Sequence, residues 1–273
     1  MRRFRLTVEY DGTEFAGFQA QAEGFRTVQG TLEKAVAKMS GSESRVHGAG
    51  RTDAGVHATG QVIHFDTEWH VPVHRICWAL NGELPNDVVV KNAEIVDGSF
   101  HARFSATART YRYTILNRDD PSALLGRFAW YVHAPLDLEA MRAAAAELTG
   151  SHDFATFGLP DLPGNSTKRN IERIGIEKRN EVLRVTVRGN AFLRQQVRAF
   201  IGTLQMVGLG KISPADVARV RDARDRTQCP AVAPARGLTL MRVHYDGIRF
   251  TRPGVDGDYA APDGTEKDNR KAK

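Results

Sequence analysis

The chain has few cysteines and no long apolar segment. Only Cys77 and Cys229 occur among its 273 residues, far apart from each other, which argues against a disulfide framework and against a zinc finger. No run approaches the roughly 18 apolar residues that a membrane-spanning helix needs, and the first residues lack the apolar segment of a signal peptide. We therefore expect a cytoplasmic protein without membrane attachment.

Several sequence motifs that carry familiar chemistry are also missing. The chain contains no G-x-x-x-x-G-K-[ST] phosphate loop, no G-x-S-x-G elbow and no H-x-E with P-C-x-x-C, which argues against P-loop nucleotide binding, serine hydrolysis and zinc-dependent deamination. His47, His57 and His64 are ten and seven positions apart, spacings that match no common metal site. The residues therefore predict no metal.

The charge is unevenly distributed. The chain carries a formal net charge of +6, and residues 103–118 and 184–198 contain arginines but no acidic residue. Aromatic residues lie among these arginines, a pattern typical of surfaces that bind nucleic acids, although a solvated basic face gives the same pattern. The arginines are Arg103, Arg109, Arg112, Arg118, Arg184, Arg188, Arg194 and Arg198.

Hydrophobic periodicity predicts the same order of elements in both halves of the chain. Strict alternation in RRFRLTVEY indicates a half-buried strand, and TVQGTLEKAVAKM has helical spacing behind a Thr27 cap. Continued in this way, the pattern reads βαββαβ and then βαββα(α)β, with a helix predicted from about Phe192 to Val207. It predicts an α+β fold of two ferredoxin-like or RRM-like domains with mainly antiparallel sheets, over residues 1–104 and 105–248, related by a pseudo-twofold axis. Residues 249–273 are predicted to be a disordered charged tail.

One stretch, GAGRTDAGVHATG at residues 48–60, places charges among residues too small to build a core. Glycines allow close approach of other groups, so Arg51 and Asp53 on a turn between two strands have the arrangement of a functional pair. An Asx-type turn with a solvated Arg51 explains the same pattern. The residues alone leave both interpretations open.

The stretch GAGRTDAGVHATGQV closely resembles the signature loop of the tRNA pseudouridine synthase A family. The resemblance continues through EYDGTEFAGFQAQ, LNGELPNDVVV, FHARFSATARTYRY, GNAFLRQQVRAFIGTL and PARGLTLMRVHY, and it covers about residues 3–245. It implies an enzyme that converts uridine to pseudouridine at positions 38 to 40 in the anticodon stem-loop of tRNAs. It also implies a homodimer, no metal or organic cofactor, and a catalytic cleft between the two domains.

The resemblance assigns roles to five residues. Asp53 corresponds to the nucleophile, which either adds to C1′ of the ribose, adds to C6 of the uracil, or deprotonates the sugar. Tyr111 corresponds to the active-site tyrosine that stacks on the flipped uracil, and Arg198 to the arginine that pairs with the carboxylate. We assign Leu238 to the apolar wall of the pocket, with Leu240 as the substitute, and Arg51 to extrusion of the base.

Two other classes of protein fit parts of the sequence. The order βαββαβ is also that of an RRM that binds RNA without chemistry, but the K/R-G-F/Y-G/A-F-V-x-F/Y segment is absent. A hydrolase with paired carboxylates needs a second acid facing Asp53, and residues 48–64 contain none. The synthase is therefore the favoured interpretation.

Overall fold

A computed structural model describes residues 1–22 and 24–246; the predicted tail at 249–273 lies outside this range. In the described part, no helix has both the length and the apolar character to cross a membrane. The strands are β1 (Arg2–Tyr10), β2 (His47–Gly48), β3 (His57–Thr67), β4 (Val88–Val96), β5 (Ala108–Asn117), β6 (Trp130–Val132), β7 (Gly150–Asp153), β8 (Lys168–Arg179), β9 (Val182–Gly189) and β10 (Leu238–His244). The helices are α1 (Val28–Ser40), α2 (Val73–Asn81), α3 (Leu138–Glu147), α4 (Gln196–Gly208) and α5 (Pro214–Asp222).

Local sequence signals account for the ends of several helices. The Thr27 side chain accepts a hydrogen bond from the Gly30 backbone N–H at 3.2 Å, so it caps α1 as predicted. Ser213 caps α5 through a reciprocal capping box with Asp216, and Pro214 occupies the first turn. These bonds satisfy backbone N–H groups that have no partner within the helix.

The strands form one mostly antiparallel sheet in the order β4-β1-β3-β10-β5-β9-β8-β7, with β2 paired to β3 and β6 paired to β5. The predicted α+β class and mainly antiparallel pairing are thus confirmed. In the first half the order is β4-β1-β3-β2, and in the second half β10-β5-β9-β8 repeats this pattern. The halves are joined by parallel pairing of β10 with β3, at Thr239 with His57 and Leu240 with Ala58.

The structure differs from the predicted elements at a few positions. The helix predicted from Phe192 begins instead at Gln196, because Gln195 has a left-handed backbone with a φ of 63°. The Gln196 side chain then accepts a hydrogen bond from the Leu193 N–H at 2.8 Å, which fixes the start of α4. Strands β6 and β7 were not predicted, since three and four residues are too few to show a periodicity.

The core lies between the sheet and its helices. On β1, Phe4, Leu6 and Val8 are fully buried, as their alternation predicts. Helix α4 is buried along most of its length, so a residue in its first turn is carried on a rigid element. This turn contains Arg198, and the neighbouring strands β3, β5 and β10 bring the remaining candidate residues to the junction of the two halves.

Candidate active site

Asp53 and Arg198 form an ion pair at the junction. Residues 49–56, here called the Asp53 loop, connect β2 to β3. The Asp53 Oδ2 atom accepts a hydrogen bond from Arg198 Nη1 at 2.9 Å, and Arg198 Nε donates to the Ala233 carbonyl at 2.8 Å. The Asp53 side chain is 32% exposed. The carboxylate is therefore held by a cation and still accessible from outside.

Tyr111 lies over the Asp53 loop. A Cβ atom placed on Gly50 would lie 3.6 Å from the Tyr111 hydroxyl oxygen, and the ring packs edge-on against Phe192 with centroids 5.2 Å apart. Burial raises the pKa of the Tyr111 hydroxyl well above its usual range; Asp53 adds to this, while the positive charge of Arg109 opposes it. The hydroxyl is therefore neutral and lies within electrostatic range of the Asp53 carboxylate.

Two buried polar side chains fix the conformation of the Asp53 loop. The Tyr10 hydroxyl shares a hydrogen bond of 2.8 Å with Thr52 Oγ1, and Gln61 Nε2 donates to the Gly50 carbonyl at 2.7 Å. Burial raises the pKa of Tyr10 to about 12. Neither residue was predicted to belong to the site, although Gln61 is a polar residue at the start of an apolar run, which is a usable signal.

His57 holds the end of the Asp53 loop. Its Nδ1 lies 3.0 Å from the Gly12 N–H and 3.1 Å from Asp11 Oδ1, and its Nε2 lies 3.0 and 3.1 Å from the carbonyl oxygens of Arg127 and Arg236. The bond to Arg236 links β3 to the residue two positions before Leu238. His57 is thus a structural residue, and no group of three potential metal ligands occurs in the part of the chain that the structure describes.

Close backbone packing explains one glycine next to the loop. A Cβ atom at Gly12 would lie 2.0 Å from the Val56 carbonyl oxygen, so no other residue fits there without moving the backbone. This contact holds the segment after β1 against the last residue of the Asp53 loop.

The other two predicted site residues are placed differently. Leu238 is 6% exposed and pairs with Tyr113, whereas Leu240 is fully buried and pairs with Tyr111. Arg51 is exposed and forms no hydrogen bond or ion pair with residues 1–22 or 24–246. The structure therefore brings Asp53, Arg198 and Tyr111 together, places Leu238 on the adjacent strand and leaves the Arg51 guanidinium in solvent.

The arginines of the two basic segments are not all exposed and unpaired, although their sequence suggests that they are. Half of their arginines pair with acidic residues from distant parts of the chain, and Arg109 is buried among backbone carbonyls. The ion pairs are Arg103–Asp161, Arg118–Glu181, Arg188–Glu172 and Arg198–Asp53. Among the described residues, Arg112, Arg184 and Arg194 have no acidic partner within ion-pair distance, so they are the candidates for contacts with an external anion.

The chain is similar to known proteins over most of its length. A family model described as tRNA pseudouridine synthase matches residues 6–105 and 144–246. The tRNA pseudouridine synthase A of Paramagnetospirillum magneticum is 48% identical over 90% of this chain and 96% of its own. That of Brevibacillus brevis is 43% identical over 90% of this chain and 100% of its own.

The similarity to solved structures is weaker. An archaeal box H/ACA sRNP Nop10–Cbf5 complex aligns with a TM-score of 0.33 at 10% identity, over 85% of this chain and 58% of that chain. A similarity at this level carries no functional argument. The family model and the near full-length relatives are sufficient: the chain belongs to the tRNA pseudouridine synthase A family and is an isomerase.

Proposed function

We propose that the protein converts uridine to pseudouridine at positions 38 to 40 in the anticodon stem-loop of tRNAs. The observation that carries this proposal is the ion pair of 2.9 Å between Asp53 and Arg198. The Tyr111 hydroxyl lies over the loop that contains Asp53. A carboxylate next to a buried aromatic ring supplies a nucleophile and a surface on which a base can stack.

The reaction is an isomerisation in which all atoms balance. The bond from C1′ to N1 breaks, the uracil rotates, a bond from C1′ to C5 forms, and C5 loses a proton while N1 gains one. No electrons are exchanged and no phosphoryl group is transferred, so the proposed reaction requires neither a metal nor an organic cofactor.

Asp53 is the proposed nucleophile. It adds to C1′ or to C6 of the uracil, or removes a proton from the sugar, and each route needs an ionised carboxylate with one face open. Arg198 places its positive charge against the carboxylate and holds it in one orientation through its second bond, to the Ala233 carbonyl.

Tyr111 and Leu238 are the proposed contacts of the flipped base. The Tyr111 ring offers a stacking surface, and its neutral hydroxyl can pass a proton at C5. Leu238, on the strand next to β5, contributes an apolar wall that keeps water from the sugar intermediate.

Arg51 is the proposed extrusion residue. Its exposed guanidinium has no partner among the described residues, so it is available to occupy the space left by the flipped uridine and to contact its phosphate. The exposed Arg184 and Arg194, together with the half-buried Arg112, would contact the RNA backbone, which favours recognition of A-form shape over base edges.

The family resemblance also suggests how the domains and subunits are arranged. We expect residues 1–104 and 105–248 to act as two ferredoxin-like units related by a pseudo-twofold axis, with the tRNA in the cleft between them. The repeated strand order supports this division. We also propose that the enzyme works as a homodimer in the cytoplasm, where its tRNA substrate is found.

The test uses unmodified tRNA labelled with tritium at C5 of uridine. The wild-type protein is expected to release tritium without releasing free uracil. Asp53→Asn is expected to lose turnover and to bind tRNA with nearly wild-type affinity. Asp87→Asn is the matched control, because Asp87 pairs with Arg26 at 2.7 Å and has a similarly accessible side chain.

The same assay separates the competing functions. Free uracil would indicate a hydrolase, and binding without tritium release on several tRNAs would indicate an RNA-binding module. Normal turnover by Asp53→Asn would reduce Asp53 to a turn residue and would contradict the proposed mechanism.

A further inference from the structure

Arg109 is a buried arginine whose partners are all backbone carbonyls. It is 9% exposed. Its Nη2 donates to Ala49 at 3.1 Å and to Arg103 at 2.7 Å, and its Nη1 donates to Asn190 at 2.8 Å and to Ala106 at 3.3 Å. No carboxylate in the described part of the chain lies within ion-pair distance of this guanidinium.

The four carbonyls belong to separate parts of the candidate active site. Ala49 is the first residue of the Asp53 loop, and Asn190 follows β9 and precedes Phe192, which packs on Tyr111. Arg103 and Ala106 lie in the connection from β4 to β5. Arg109 itself is two residues before Tyr111 on β5. One side chain therefore connects the Asp53 loop, the tyrosine strand and the segment that supports the tyrosine ring.

This arrangement is costly as a purely structural device. Burial lowers the pKa of the Arg109 guanidinium, because the charged form loses water and gains no opposite full charge. A neutral apolar side chain could fill the same space without a buried charge but would leave the four carbonyls without this donor, whereas the planar guanidinium holds them in one fixed geometry. The hydrogen bonds of the guanidinium thus fix the distances between the segments that it joins.

We propose that Arg109 is a positioning residue that holds the Asp53 loop in register with Tyr111 and so sets the rate of the chemical step. This inference rests on the proposed roles of Asp53 and Tyr111. The Arg109 side chain makes its hydrogen bonds to backbone carbonyls and none to the Asp53 carboxylate or the Tyr111 hydroxyl, on which it acts only by its charge. A displacement of about 1 Å at a reacting group costs about a hundredfold in rate, so a loosened loop slows chemistry before it weakens binding.

The experiment compares Arg109→Met, Arg109→Lys and the wild type by three measurements: the single-turnover rate on C5-labelled tRNA, the tRNA Kd and the thermal midpoint. Arg109→Met is expected to be at least about tenfold slower with a Kd within about twofold of wild type. Arg109→Lys keeps the charge and some of the hydrogen bonds, and is expected to recover part of the rate.

Arg221→Met is the matched control. The Arg221 side chain on helix α5 is 11% exposed and donates to the Glu147 carbonyl and to Asp222, neither of which belongs to the Asp53 loop or to β5. It is expected to lower the thermal midpoint and to leave the single-turnover rate unchanged. If Arg109→Met does not fold, Arg109→Lys decides the question: a slower step at unchanged Kd supports the proposal, and the wild-type rate overturns it.

A wild-type rate for Arg109→Met, or an equal loss of rate in Arg221→Met, would also overturn the proposal. The failure of the proposed function gives a different result. In that case Asp53→Asn keeps its turnover, whereas failure of the Arg109 inference alone leaves Asp53→Asn inactive and the Arg109 variants fast.

Discussion

Asp53 and Arg198 are 145 positions apart in the sequence, and their side chains meet at 2.9 Å. The arginine uses two different nitrogens, one for the carboxylate and one for the Ala233 carbonyl. This double attachment fixes the direction from which the cation approaches Asp53. A lysine offers one nitrogen at the end of a flexible chain and cannot bridge the two oxygens in the same way.

Arg198→Lys is therefore expected to reduce kcat by about tenfold or more while changing tRNA affinity little. The matched control is Arg118→Lys, since Arg118 also joins a carboxylate, Glu181, to a backbone carbonyl, that of Asp120. The two variants are compared by tritium release and by tRNA Kd. Equal kcat values for Arg198→Lys and the wild type would show that the orientation of the pair does not matter.

Tyr111 and Tyr113 lie on the same face of β5 and differ in the partner of the hydroxyl. The Tyr113 hydroxyl donates to the Pro234 carbonyl at 2.7 Å, and the Tyr111 hydroxyl makes no hydrogen bond to the described residues. Tyr113→Phe is expected to lower the free energy of unfolding by about 1 kcal/mol and to keep its rate. Tyr111→Phe is expected to keep its stability and to lose rate, as measured by urea unfolding and tritium release. The reverse pattern would contradict the assignment of Tyr111 to the site.

An added methyl group is expected to reduce activity at Gly50 and stability at Gly12. At Gly50 the Cβ would lie 3.6 Å from the Tyr111 hydroxyl, which is an ordinary contact, whereas at Gly12 it would lie 2.0 Å from the Val56 carbonyl oxygen. Gly50→Ala is expected to fold normally but to obstruct the proposed uracil position, raising KM or lowering kcat. Gly12→Ala is expected to unfold at a clearly lower temperature. A fully active Gly50→Ala would place the base elsewhere.

His64 predicts a loss of stability in mild acid. Burial, with smaller contributions from nearby His101 and His47, lowers the pKa of His64 to about 4 in the folded protein, against about 6.5 in an unfolded chain. Between these values the unfolded chain binds the proton and the folded chain does not, so the free energy of unfolding falls as the pH falls from 6.5 to 4. The loss is about 3 kcal/mol at most.

The prediction is checked by urea unfolding of the wild type and His64→Asn between pH 7 and pH 4. The variant is expected to show a shallower decline, and the exposed His70→Asn to follow the wild type. Burial also lowers the pKa of His244 to about 4 and that of His101, and both contribute to the part of the decline that remains. Parallel curves for His64→Asn and the wild type would contradict the prediction.

Local patterns in the sequence predicted individual elements. The alternation in RRFRLTVEY correctly predicted β1, and the cap at Thr27 correctly placed the start of α1. Both signals depend on residues a few positions apart. The start of α4 was wrong because the left-handed Gln195 has no counterpart in a hydrophobic pattern.

Such local patterns did not predict contacts between segments that are far apart in the sequence. Arg109 was grouped with the other arginines of its segment, because nothing near it in the sequence indicates a buried side chain that binds the carbonyls of Ala49 and Asn190. The pairing of Arg103 with Asp161 was missed for the same reason. Arg198 was assigned through family resemblance, and its spacing from Asp53 gave no information.

The central position of β10 also constrains how the protein is made. Residues 238–244 occupy the middle of the sheet, between β3 and β5, although they come after all the other strands that the structure describes. While the ribosome is still adding these residues, β3 and β5 each lack the neighbour that joins the two halves. A nascent chain therefore keeps two open strand edges until residues 238–244 have left the ribosome.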